Sequence, residues 1–116
     1  MAVGLLLVSG TAFAHHSMSM YDREHSVTMK ATVTDFEWAS PHTVIHFDVA
    51  DDNGSVEKWI AESPAPYRLE RNGWNKDSLK PGDQITIVGN RRKDGSTAMR
   101  LLKLVRSDGQ QLDGYH

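Results

Sequence analysis

The chain has 116 residues, a formal net charge of −2 and no cysteine. That length suits one hydrophobic core rather than two, and the missing cysteines exclude both a disulfide framework and a thiolate metal site. The near-neutral charge offers no electrostatic footprint for a polyanion such as nucleic acid.

Residues 1–14, MAVGLLLVSGTAFA, carry no charged side chain. They set Leu5, Leu6, Leu7 and Val8 ahead of a smaller, more polar stretch ending in Ala12-Phe13-Ala14. This order of apolar run and small-x-small ending predicts a signal peptide cut after Ala14, although the Lys or Arg that usually opens such a leader is missing. The run is too short for a membrane span, which needs about 20 apolar residues. The expected mature chain begins at His15, works outside the cytoplasm in the periplasm or beyond, and keeps the charge of −2.

Residues 15–25 have few apolar positions at strand spacing and read as an arm, either mobile or laid across the domain that follows. From Ser26 to Trp38 the sequence alternates, with Val27, Met29, Ala31 and Val33 on one face, which predicts a half-buried strand. The alternation slips at Asp35 and resumes as Phe36 and Trp38, the mark of a bulge. His42 to Val49 predicts a second strand, and Asp51-Asp52-Asn53-Gly54 a turn into a third over SVEKWIAE.

Ser63-Pro64-Ala65-Pro66 suits the cap and opening of a short helix that Tyr67 to Arg71 continues and Asn72-Gly73 stops. Pro81-Gly82-Asp83 turns into a fourth strand from Gln84 to Val88, Asp94-Gly95 into a fifth from Thr97 to Val105, and Asp108-Gly109 turns the tail. The expected fold class is all-β with one short helix, a five-stranded OB-like Greek-key barrel over residues 26–116. An open meander capped by the helix is the alternative.

If the leader is cut as expected, His15 presents an α-amine and an imidazole that can chelate one metal ion together. Both nitrogens require that His15 come first, because a peptide nitrogen is a far poorer ligand. His42, after Pro41 at the mouth of the second strand, is the expected third ligand, with His16 as its alternate. Copper is the expected ion, although imidazole alone does not separate copper from zinc. Met18 and Met20 either add soft donors for cuprous ion or pack the arm.

His42 and His46 stand four strand steps apart, roughly 13 Å, too far to share an ion, so His46 reads as a surface imidazole. Asp51, Asp52 and Asn53 lack the spacing of a calcium loop. No catalytic signature stands out, so no enzyme activity is expected. Arg91-Arg92-Lys93 with Trp59 or Trp74 could serve a single nucleic-acid strand, but the basic trio fits a hairpin loop better. The second functional expectation is a non-catalytic binding module, its groove lined by Trp59, Trp74 or Tyr67 and filled by a peptide, glycan or protein partner.

Taken together, several short motifs resemble an uncharacterised family of small exported bacterial proteins. They are Ala14-His15-His16-Ser17, Tyr21-Asp22, Glu37-Trp38 before Pro41-His42, Trp59, Arg71-Asn72-Gly73-Trp74 and Asp77-Ser78-Leu79-Lys80-Pro81-Gly82. The chain has Ser40 where that family usually has Asn, and Met18 where it usually has an aromatic residue. The resemblance implies export and a small barrel, and brings no activity with it. A weaker likeness, in residue types alone, is to periplasmic copper and silver chaperones, whose ligands come from barrel strands.

Overall fold

The computed structural model describes residues 19–116. The leader, its cleavage point, His15, His16 and Met18 lie outside the described residues. Five strands close into a barrel: β1 (Val27–Glu37), β2 (Thr43–Ala50), β3 (Val56–Ser63), β4 (Gln84–Arg91) and β5 (Ala98–Arg106). A short helix, α1 (Pro66–Arg71), links β3 to β4, so the expected OB-like class holds.

The long first strand is shared between two neighbours. Its first half, Val27 to Thr32, pairs antiparallel with β4, and its second half, Thr32 to Glu37, pairs with β2. β2 and β3 form the expected hairpin along their whole length. Closure comes from a parallel pairing of Ile60–Glu62 on β3 with Ala98–Arg100 on β5.

The anticipated bulge lies between Val33 and Asp35: β1 advances two residues while β2 advances one, from Phe47 to His46, so Thr34 is the extra residue. This restores Phe36 to the apolar side and turns Asp35 and Glu37 outward. A second bulge, where β5 passes from Leu101 to Lys103 opposite Gly89 and Val88, returns Leu104 to the core. Gly89 is required there, because a Cβ would lie 2.5 Å from the Arg100 carbonyl oxygen.

The core takes Val33, Ile45, Phe47, Ile87, Leu101 and Leu104 from the strands, and Leu69 from α1. Trp59 and Trp74 also belong to it, at 3% and 2% exposure. Trp59 stacks on Phe47, and Trp74 stacks on Phe36 while its Nε1 donates to the Asp113 carbonyl at 2.9 Å. Neither ring is therefore free to serve as the exposed platform of a binding groove, and among the three aromatics expected there only Tyr67 is exposed.

Two local features differ from expectation. Ser63 does not cap α1; it ends β3 fully buried, Ala65 holds the cap position with no side-chain hydrogen bond, and Pro66 opens the helix. The tail also forms a sixth strand, β6 (Gln111–Asp113), against Lys103–Val105 of β5. The outer edge of β5 thus serves β3 with its first residues and β6 with later ones.

Candidate functional site

The arm meets the barrel at Tyr21, which bridges to Arg92 and is flanked by backbone hydrogen bonds from Asp22 to Arg91 and from Lys93 to Met20. The Tyr21 ring is buried, and its hydroxyl donates to Glu62 Oε2 at 2.6 Å. Burial, together with the negative Glu62, holds the Tyr21 hydroxyl pKa well above the ordinary tyrosine value, so it is a neutral donor. The other Glu62 oxygen lies 3.2 Å from Nε2 of His42.

His42 is thus positioned from two sides, since its Nδ1 is 3.2 Å from the Tyr115 hydroxyl. The carboxylate favours a proton on Nε2, and in that tautomer Nδ1 can accept from the Tyr115 hydroxyl. These groups border a cleft of about 360 Å3 that also receives Arg23, Arg68 and Arg100. Three guanidiniums beside a single acidic side chain make this a cationic setting.

The second constellation faces outward on the β1–β2 pair. The Thr34 bulge sets Asp35 opposite His46, with Glu37 two residues on along the same face. One ligand atom from each of the three lies within 4.8 Å of the others. Nε2 of His46 is 2.7 Å from Glu37 Oε2, and Asp35 Oδ1 accepts from the Phe36 backbone N–H at 2.9 Å. An imidazole and two carboxylates form a ligand set for a divalent ion.

The structure thus separates His42 and His46 as strand spacing required, and gives His46 the partners that His42 lacks for a cation. Sequence reasoning passed over Asp35, Glu37 and His46 as a group. The available signal was the slip at Asp35, because an extra residue there moves both carboxylates onto the His46 face. His46 also borders a groove of about 360 Å3 with Lys58, Ile60, Thr97 and Arg92, the residue that Tyr21 pairs with.

No solved structure and no curated protein matches the chain. A family profile does match, over residues 3–100, which is most of its length. The chain belongs to that family, a family of unknown function (DUF6152).

Proposed function

We propose that the protein is an exported metal-binding barrel whose ion is copper(II), held by Asp35, Glu37 and His46. The observation that carries this reading is the bulge, which turns two carboxylates outward and brings their oxygens within 4.8 Å of the His46 imidazole. Among divalent first-row ions, copper(II) binds most tightly to nitrogen and oxygen donors of this kind. Export rests on the leader sequence, with its charge-free apolar run and its Ala-x-Ala ending.

Three protein atoms leave room for further ligands, and the amine and imidazole of a mature His15 are suited to that place. Tyr21 is tied to Arg92, which borders the same groove as His46. His42 is less suited as a ligand, since both its ring nitrogens have partners and it borders a cleft lined by three arginines.

Calorimetric titration of copper(II) into metal-free protein that begins at His15 tests the reading. One ion should bind per chain, at least tenfold more weakly after His46→Ala, and more weakly again when a glycine precedes His15. Affinity unchanged in His46→Ala would overturn the cluster, and equal affinity with the added glycine would remove His15 from the site. Mass spectrometry of the exported protein should find His15 at its amino terminus.

A further inference from the structure

The cleft at His42 has a composition that calls for an anion. Arg23 comes from the arm, Arg68 from α1 and Arg100 from β5, yet all three guanidiniums line one cavity. None of them is ion-paired to a side-chain carboxylate among the described residues. Glu62 does not neutralise them by direct pairing, because its two oxygens are engaged by Tyr21 and His42.

Arg100 is the fixed member of the trio. Its guanidinium donates to Asn90 Oδ1 at 3.1 Å and to the main-chain oxygen of His116 at 3.3 Å, and lies over the Tyr115 ring 4.5 Å from its centre. Arg68 approaches the same ring at 5.8 Å. Burial, then the positive charge of Arg23, pull the Arg100 pKa below its ordinary value, with Arg68 adding in the same direction. Like charges gathered in a partly desolvated cleft are relieved by a bound anion.

We propose that this cleft binds a small organic anion, with a carboxylate or phosphate head seated among Arg23, Arg68 and Arg100 and its carbon skeleton against the Tyr115 ring. The planar guanidinium fork matches the oxygens of either head group. A volume of about 360 Å3 falls among the clefts that hold small organic molecules, and far exceeds one inorganic ion. The Tyr115 ring supplies an apolar surface at the wall.

The test is calorimetry on metal-free protein in a chloride buffer, with benzoate, phenyl phosphate and inorganic phosphate as probes. One molecule of benzoate or phenyl phosphate should bind per chain, and the tighter of the two identifies the head group. Binding should weaken at least tenfold in Arg23→Gln and in Arg68→Gln, whose folding is checked by thermal melting. It should stay unchanged in Lys103→Gln, an exposed charge on β5 outside the cleft.

Absence of saturable binding by both aromatic probes would overturn the proposal, as would an equal loss in Lys103→Gln. Inorganic phosphate binding as tightly as phenyl phosphate would overturn its organic part. His46→Ala should leave anion binding intact, so failure of the copper site and failure of this one are read separately.

Discussion

The hydroxyl of Tyr21 donates to Glu62 at 2.6 Å and so joins the arm to the third strand across 41 positions of sequence. Removing it in Tyr21→Phe keeps the buried ring and deletes one charge-assisted hydrogen bond. Glu62 is partly solvated and can take a water in its place, so the expected cost is about 1 kcal/mol. Urea unfolding should show a lower midpoint with an unchanged slope.

The same bond predicts an alkaline weakness. The Tyr21 pKa is raised in the folded protein, by burial first and Glu62 second, whereas an unfolded tyrosine loses its proton near pH 10. Above that pH the folded state therefore holds more protons than the unfolded one, and stability falls as pH rises. Its contribution is complete below about pH 10 and declines above it. Tyr115, also raised by burial, works in the same direction. Melting temperatures between about pH 9 and 11 should fall less steeply in Tyr21→Phe than in the parent.

Strand alternation is a local signal, and that is why the five barrel strands were legible: inward residues such as Ile45 and Phe47 declare themselves two positions apart. The three residues of β6 show no such run, and they pair with β5 where that strand no longer meets β3. The guanidinium cluster was invisible for another reason, since Arg23, Arg68 and Arg100 meet only after the barrel closes. Trp59 and Trp74 misled because a tryptophan reads alike as core and as binding platform; burial separates the two.

Gly114 lets the backbone before Tyr115 run close against Leu101 of β5. Its N–H bonds the Leu102 carbonyl and that of Tyr115 bonds Leu101, while a Cβ at Gly114 would sit 2.7 Å from the Leu101 carbonyl oxygen. Backbone cannot give way as a flexible side-chain tip can. Gly114→Ala should destabilise by about 1–3 kcal/mol, the usual range for forced overpacking. Thermal melting measures the loss, and amide exchange that quickens at Tyr115 while staying slow at Ile45 in the core would locate it in the tail.

Thr43 and Ser63 face each other across β2 and β3, both fully buried, and neither side-chain oxygen has a hydrogen-bond partner among the described residues. Burying an unpaired hydroxyl costs about 1–3 kcal/mol. Thr43→Val replaces that hydroxyl with a methyl group of similar size. It should stabilise the barrel by about 1 kcal/mol, a rise of roughly 4–8 °C in melting temperature for a domain of this size.

Asp35 and Glu37 lie on one face with a ligand oxygen of each inside the same 4.8 Å cluster, so in metal-free protein they repel each other. Asp35→Asn removes that repulsion and can keep the oxygen that accepts from the Phe36 N–H. The metal-free variant should therefore be as stable as the parent or more so, within about 0.5 kcal/mol for an exposed position. Saturating copper(II) should reverse the order, because the parent keeps the full ligand set and gains more from mass action. Paired melting curves with and without the ion check this crossing. A variant that loses stability equally in both conditions would mark Asp35 as a structural residue of the bulge.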